Sequence, residues 1–287
     1  MSYNNNTAIL LFTCKDKPGL VSKISQFIFE RSGNIIDLEE HVERVEQVFS
    51  IRIAWDMQDS SLTKESVLND FAKLASGFNA DWHIHFLDRK HRVAIFVSKY
   101  DHCLQEILWR YRMGEYYMEI PLIISNHPDL KELADQNGIP FYHFPISPET
   151  KKEQEEKEIE LMKDNRIDSI VMARYMQILT SALINQFPNR IINIHHSFLP
   201  AFIGGNPYKQ AFDRGVKIIG ATSHYATEDL DEGPIIEQDI IRISHKDSID
   251  NLKRKGRDLE RLVLARALQY HVEHRILVRG KKTIIFE

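Results

Sequence analysis

The chain has 287 residues, a formal net charge of −4 and a hydrophobic fraction of 43%. This length allows two domains, each with its own core, and the composition is that of an ordinary globular protein. The acidic balance argues against a nucleic-acid binder driven by overall charge. The start of the chain is polar, no apolar run approaches the roughly 20 residues of a membrane span, and two cysteines provide no disulfide framework. We therefore expect a cytoplasmic protein with neither nucleic-acid nor membrane partners.

The front of the chain, residues 1–87, reads as one small domain. The expected elements are a strand near 8–12, a helix near 20–28, strands near 35–42 and 48–55, a helix near 64–76 and a strand near 81–86. Gly33 and Asn34 are expected to stop the first helix. The order strand-helix-strand-strand-helix-strand predicts a ferredoxin-like sandwich.

A short charged joint at residues 88–92 is expected to be a solvated linker, and the pattern changes after it. From residue 93 to 287, short apolar runs alternate with helix-length segments, which predicts a Rossmann-like α/β domain with a mostly parallel sheet. The densely charged segment 149–163 is interpreted as a solvated helix. A long helix near 248–273 and a hairpin around Gly280 close the chain.

Three polar side chains of this second domain have the chemistry needed to add water to an acyl carbon. Asn193 and His195 come at the end of a strand-like run, and Asp231 follows in a predicted loop. An amide can hold a developing oxyanion, an imidazole can donate a proton to it, and a carboxylate can orient the imidazole. In an open α/β sheet, ligands bind at the carboxyl ends of the strands, where Asn193 and His195 are expected. Taken alone, the pair could be structural and Asp231 could belong to a simple turn.

Sequence motifs around these residues and in the first domain resemble those of known families. Asn193–Pro200 and Ile219–Ile236 resemble the folate-dependent formyltransferases, whereas Asp16–Val21 and Gly33–Ile35 resemble ACT domains, which are regulatory modules. The combination resembles the formyltetrahydrofolate deformylases. The resemblance implies hydrolysis of 10-formyltetrahydrofolate to formate and tetrahydrofolate, which would supply formate for purine biosynthesis. Folate would be the substrate, and no tightly bound cofactor and no metal would be required.

The resemblance also implies roles for particular residues. Asn193, His195 and Asp231 would be catalytic. The folate pterin would be held, largely by backbone groups, at Met176, Gln177, Ile178, Leu179, Glu228, Asp229, Leu230, Glu232 and Gly233. A small amino acid such as glycine or methionine would bind near Gly19, Gly33, Asn34 and Ile35, and the chain would form a homo-oligomer.

Several alternatives stay open at this point. Met176, Ile178 and Leu179 could be core residues, Gly19 could only start a helix, and Gly33 could only end one. Arg174 could meet the glutamate tail of folate or be solvated surface.

Formyl transfer to an amine such as glycinamide ribonucleotide is an alternative reaction, and a non-catalytic folate or amino-acid sensor is an alternative class. A ribonucleotide acceptor would need a glycine-rich phosphate cradle after the first strand of the second domain, but Phe96–His102 contains no glycine. His196 and Ser197 are interpreted as structural, and the role of His224 stays open. No set of His, Cys and Glu residues shows metal-ligand spacing.

Overall fold

The computed structural model describes residues 5–57, 63–201 and 207–287. The chain forms two compact units, residues 1–90 with 286–287 and residues 91–285. Gly204 and Gly205, a pair that predicts a loop after Pro200, lie outside the described residues. Within the described ranges, no helix is both long and apolar enough to cross a membrane.

The first unit has the predicted order of strands and helices. Its elements are β1 (Thr7–Lys15), α1 (Leu20–Phe29), β2 (Gly33–Glu43), β3 (Val48–Met57), α2 (Lys64–Ser76) and β4 (Asp81–Phe86). The four strands form an antiparallel sheet in the order β2-β3-β1-β4. This is a small sheet-rich domain of the expected ferredoxin-like kind. Its identification as an ACT domain stays a prediction.

The turn that ends α1 differs from the prediction. The helix ends at Phe29, and Ser32 takes the left-handed conformation, with φ 54, that we expected of glycine. Gly33 instead begins β2, where a Cβ atom would lie 2.6 Å from the Ile28 side chain and 2.8 Å from that of Trp55. Gly33 is therefore needed for close packing of the strand on the helix, and its role as a helix stop was wrong.

The second unit alternates strands and helices as predicted. Its elements are β5 (His91–Val97), α3 (His102–Arg112), β6 (Met118–Ser125), α4 (Lys131–Gln136), β7 (Phe141–His143), α5 (Lys151–Asp164), β8 (Ser169–Met172), α6 (Ser181–Ile184), β9 (Ile191–His195), α7 (Pro207–Arg214), β10 (Ile218–Tyr225), β11 (Ile235–Arg242), α8 (Ile249–Val272), β12 (Ile276–Arg279) and β13 (Lys282–Ile285). The last two strands form the hairpin expected around Gly280.

The main sheet of this unit has the strand order β11-β10-β9-β8-β5-β6-β7. Strands β5 to β9 are parallel, and β10 and β11 run antiparallel at one edge, so the sheet is mostly parallel as predicted. The completely buried apolar runs of β5 and β8 suit central strands covered by helices on both faces.

The predicted linker is too long at its carboxyl end. His91 and Arg92 belong to β5, and the Arg92 N–H donates to Asp168 Oδ2 at 2.8 Å. The Arg92 side chain also donates to the Asn165 carbonyl at 2.9 Å. These bonds to the segment before β8 explain why His91 and Arg92, two residues of the predicted linker, belong to the sheet instead of lying in solvent.

Candidate active site

A cavity of about 880 Å³ opens where the chain leaves three neighbouring parallel strands. Its wall contains Tyr100 after β5, Arg174 to Leu179 after β8, and His195 and His196 at the end of β9. Because the carboxyl ends of parallel strands meet at one edge of a sheet, this is the expected place for a ligand. A volume of this size suits a drug-sized organic molecule.

The three residues predicted to be catalytic meet in this cavity. The Asp231 Oδ2 atom lies 3.1 Å from His195 Nδ1, and Asn193 lies two residues before His195 on the same strand. His224 joins them, since its Nε2 atom is 3.2 Å from Asn193 Nδ2 and 3.4 Å from Asp231 Oδ1. All three groups of the predicted set therefore form one connected cluster, and His224 completes it.

Strand register places two members of the cluster side by side. Asn193 on β9 is the direct cross-strand partner of His224 on β10. The His224 Nδ1–H donates to the Tyr225 carbonyl at 2.9 Å, which leaves Nε2 turned towards Asn193 and Asp231. The ring is thus oriented by a bond that needs no substrate.

The loop between β10 and β11 carries Asp231 back to this pair. The loop is closed at its base by the Tyr225 N–H, which donates to the Pro234 carbonyl at 2.9 Å. At Gly233 a Cβ atom would lie 1.7 Å from the Tyr225 carbonyl oxygen, so only glycine allows this closure. Asp231 itself has φ 58, a conformation that aspartate tolerates better than most residues.

The cluster keeps a carboxylate ionised in a mostly buried place. Burial would raise the pKa of Asp231, but hydrogen bonds from His195 and His224 outweigh it and hold that pKa well below its ordinary value. The His195 Nε2 atom is buried and has no hydrogen-bond partner among the described residues. Burial and the nearby Arg174 lower the pKa of His196 to about 4, so this imidazole is neutral at pH 7.

The loop after β8 presents apolar side chains to solvent at the cavity. Met176 is 56% exposed and Ile178 is 58% exposed, so the alternative that both are core residues is wrong. Leu179, only 8% exposed, belongs to a buried cluster and also lines the cavity, as does Gln177. Flat aromatic ligands bind well against such apolar walls.

Helix α5 is a largely solvated helix, as its charge predicted, but two of its carboxylates are not in solvent. Glu155 and Glu158 are buried, and both bind the loop that carries Met176. The Thr180 N–H donates to Glu155 Oε2 at 3.1 Å, and the Tyr175 hydroxyl donates to Glu158 Oε1 at 3.1 Å. Sequence reasoning missed these residues because a dense run of charges does not reveal which members have partners.

A second buried carboxylate lies at the α8 side of the cavity. Glu260 is 1% exposed and accepts a hydrogen bond from the Tyr208 hydroxyl at 2.5 Å. His102 Nε2 lies 2.8 Å from it, and Arg174 Nε lies 3.4 Å away. Burial would raise the pKa of Glu260, but these neighbours lower it. Arg174 is therefore largely buried in an ion pair, which corrects its interpretation as solvated surface.

The same neighbourhood bears on the expectation about metals. His102, Cys103 and Glu260 place ligand atoms within 4.8 Å of one another, a grouping that spacing along the chain did not reveal. Burial raises the pKa of the Cys103 thiol well above its usual range, and a thiol is a poor ligand. Arg174 already supplies positive charge to Glu260, so these residues do not fit a cation.

Of the predicted binding residues in the loop between β10 and β11, only some line the cavity. Glu228 and Leu230 line the cavity, but Asp229, Glu232 and Gly233 do not. The Glu232 carboxylate pairs with Lys281 at 2.8 Å, and the Glu228 carboxylate accepts from Asn185 at 3.2 Å. A contribution of this loop to ligand binding through its backbone stays a prediction.

The residues predicted to be regulatory lie in the first unit. Gly19 is the N-cap of α1 with φ 88, so it does start a helix. Gly33, Asn34 and Ile35 open the edge strand β2, and a bulge follows Ile35 in its pairing with β3. Binding of an amino acid at these residues stays a prediction.

Comparison with known proteins places the chain among folate-dependent enzymes. Residues 91–268 match the formyl transferase family. A formyltetrahydrofolate deformylase of Synechocystis is 55% identical over 98% of this chain and 99% of the relative. A crystal structure of a formyltetrahydrofolate deformylase from Pseudomonas syringae pv. tomato superposes with a TM-score of 0.94 at 41% identity, covering 98% and 94% of the two chains. A glycinamide ribonucleotide transformylase from Symbiobacterium toebii reaches a TM-score of 0.65 at 28% identity, over 71% of this chain and 97% of that protein.

The buried Glu158 leads to a prediction about pH and stability. Burial raises its pKa to about 8, and its Oε2 atom has no hydrogen-bond partner in the part of the chain that the structure describes, as suits a protonated acid. Because the folded pKa exceeds the unfolded one, its stabilising effect is complete below about pH 4.5 and is lost as pH rises towards 8. Glu158→Gln should therefore gain stability relative to the parent between pH 5 and pH 8, by on the order of 1–3 kcal/mol. Urea unfolding at both pH values measures the difference.

Glu156→Gln, one helical position from the buried face, is the control and should show no such gain. If the free energy of unfolding changes with pH by the same amount in Glu158→Gln as in the parent, Glu158 is ionised in the folded protein.

Proposed function

We infer that this chain, which belongs to the formyltetrahydrofolate deformylase family, hydrolyses 10-formyltetrahydrofolate to formate and tetrahydrofolate. The observation that carries the assignment of the site is the Asp231 carboxylate held by His195 and His224 beside the Asn193 amide. These side chains supply the hydrogen-bond donor, the imidazole and the carboxylate that acyl hydrolysis needs.

The proposed mechanism starts from the orientation of His195. Its Nδ1 atom faces a carboxylate and therefore carries a proton, which leaves Nε2 for the reacting atoms. A water molecule adds to the formyl carbon, and Nε2 accepts its proton. The Asn193 amide donates to the oxyanion that forms, and Asp231 stabilises the imidazolium. The C–N bond then breaks, and the His195 proton passes to the folate nitrogen that leaves. The formic acid that results loses its remaining acidic proton to water and becomes formate.

We place the folate pterin against the two loops that flank this cluster. Met176 and Ile178 offer exposed apolar surface, and Glu228 and Leu230 line the same cavity. Backbone N–H and C=O groups in these loops would read the edge of the heterocycle. Folate is then a substrate that is consumed, and the mechanism requires no resident cofactor.

Formyl transfer to a ribonucleotide amine fits this site less well. The transformylase similarity covers 71% of this chain, against 98% for the deformylase structure. The place of a phosphate cradle after β5 carries Tyr100 and His102 as cavity-lining side chains. The segment Phe96–His102 contains no glycine, so its backbone amides cannot approach a phosphate closely. A pure sensor would not need the connected set of Asn193, His195 and Asp231.

The assay that tests the proposal uses 10-formyltetrahydrofolate as the sole substrate. We expect formate and tetrahydrofolate to appear in equal amounts without any added amine. Turnover that depends on an amine acceptor would favour the transferase, and the absence of any turnover would favour the sensor.

Asp231→Asn should keep the fold and lose most of the activity. The amide has nearly the same shape, but it can neither pair with an imidazolium nor hold His195 in the required tautomer. Loss of such a group costs about 10²–10⁴-fold in rate. Formate release measures the effect, and circular dichroism checks the fold. Asp229→Asn, in the same loop but outside the cavity wall, is the matched control and should retain activity. Activity of Asp231→Asn within threefold of the parent would remove Asp231 from the mechanism.

We propose that the first unit is an ACT-like regulatory domain and that the chain forms at least a dimer. Edge strand β2 carries Ile36 and Leu38 partly exposed, and such an edge is suited to pairing with a second copy. Glycine or methionine would bind near Gly19 and Asn34. Both cysteines are free and buried, as suits the reducing cytoplasm in which we place the protein.

Light scattering and the formate assay on the full chain test this proposal. We expect a mass of at least two chains and a change in formate release when glycine or methionine is added. Asn34→Ala should weaken that response and leave the rate without amino acid unchanged. A monomer, or a rate indifferent to both amino acids, would make the first unit a passive scaffold.

A further inference from the structure

Arg174 lies in the cavity wall with hydrogen-bonding capacity that the protein does not fill. Its side chain is 10% exposed, and its Nε and Nη1 atoms are buried without a hydrogen-bond partner among the described residues. The Glu260 carboxylate, 3.4 Å from Nε, pairs with it in charge but not through a hydrogen bond. Buried charged donors without acceptors are costly, so a ligand that offers acceptors is favoured here.

Glu260 is committed to other partners and cannot fill this deficit. The Tyr208 hydroxyl donates to its Oε1 atom at 2.5 Å, and His102 Nε2 contacts its Oε2 atom at 2.8 Å. Gly256, one turn earlier on α8, makes room for the Tyr208 ring, since a Cβ atom there would lie 1.9 Å from the hydroxyl. The carboxylate is thus held in place, and the Nε and Nη1 atoms of Arg174 remain without a hydrogen-bond acceptor among the described residues.

The backbone holds Arg174 where it is despite an unfavourable conformation. Its φ of 64 lies in the left-handed region, which is uncommon for a long side chain. The preceding residue is anchored to the sheet, because the Ala173 N–H donates to the Phe96 carbonyl at 2.8 Å. The guanidinium carbon lies 5.4 Å from the centre of the Tyr100 ring, a cation–π contact that orients its plane. Strain of this kind persists at sites where placement matters.

We propose that Arg174 binds the formate anion released in the reaction, an inference that rests on the proposed function for the identity of the anion. Hydrolysis turns a neutral formyl group into a carboxylate next to the ionised Asp231, and like charges at short range repel each other. The guanidinium fork matches a carboxylate in shape and charge. His196 lines the same cavity, with its ring 5.3 Å from that of His195 and 5.8 Å from that of Tyr208, and its neutral imidazole adds no charge there. Released formate therefore leaves the ionised Asp231 for Arg174 within the same cavity.

Titration of the substrate-free protein with isotope-labelled formate, followed by NMR line width, tests the site directly. We expect saturable binding of formate and none of formamide, which has the same size and no charge. In the steady state, added formate should inhibit turnover and formamide should not. Equal binding of the two compounds, or no saturable binding of formate, would overturn the proposal.

Variants locate the binding. Arg174→Met should weaken formate binding about tenfold or more, the loss expected for a charge-assisted hydrogen bond. Arg174→Lys keeps the charge without the fork and should fall between Arg174→Met and the parent. Arg257→Met removes another cation that lines the same cavity and is the matched control. If Arg257→Met weakens binding as much as Arg174→Met, general electrostatic attraction explains the effect and Arg174 is not the site.

The outcomes separate this inference from the proposed function. A protein that releases formate from the folate substrate but does not bind free formate contradicts only the role of Arg174. A protein that binds formate at Arg174 but releases none from the folate contradicts the proposed function and leaves an anion site.

Discussion

The buried carboxylate of Asp231 is the group on which the rest of the site depends. An ionised carboxylate that is taken from water costs several kcal/mol unless partners replace the lost hydration. Here the partners are two imidazoles on neighbouring antiparallel strands, His195 and His224, and each contacts a different oxygen. Their positions follow from the register of β9 and β10, and the closure at Gly233 sets the position of the carboxylate. The geometry of the proposed catalytic set is therefore determined by sheet pairing and by one loop.

The cavity contains a second ionised carboxylate with a different balance of partners. Glu260 has a hydroxyl, an imidazole and a guanidinium around it, and together these groups stabilise its negative charge. The guanidinium of Arg174 supplies charge to Glu260, but its Nε and Nη1 atoms have no hydrogen-bond acceptor among the described residues. Asp231 can thus stabilise a positive charge on His195 during the reaction, whereas the Arg174 side of the cavity can accept a negative charge after it. A reaction that begins with a neutral formyl group and ends with an anion makes use of both.

Much of this architecture could be predicted from the sequence, and the failures have a common cause. The periodicity of hydrophobic residues predicted the order of elements in both units, and two long sequence motifs pointed to Asn193, His195 and Asp231. Prediction failed for Glu158 and Glu260, which were expected in solvent or received no role, and it left Arg174 open between folate binding and the solvated surface. Charged residues are buried only when a partner distant in sequence meets them, and composition cannot show such a partner. His224 was left open for the same reason, since its role comes from strand register.

The backbone shows a related limit of local rules. Arg174, Met176 and Asp231 all have positive φ, and all three line the cavity. Local propensity would put glycine or asparagine at such positions, and a long side chain there costs stability. The sequence keeps arginine and methionine because each presents a side chain that glycine lacks, a cation in one case and an apolar surface in the other. Glu155 and Glu158, bound to the same loop from α5, help to hold it in that strained form. Places where a sequence breaks its own local preferences are therefore where function is best sought.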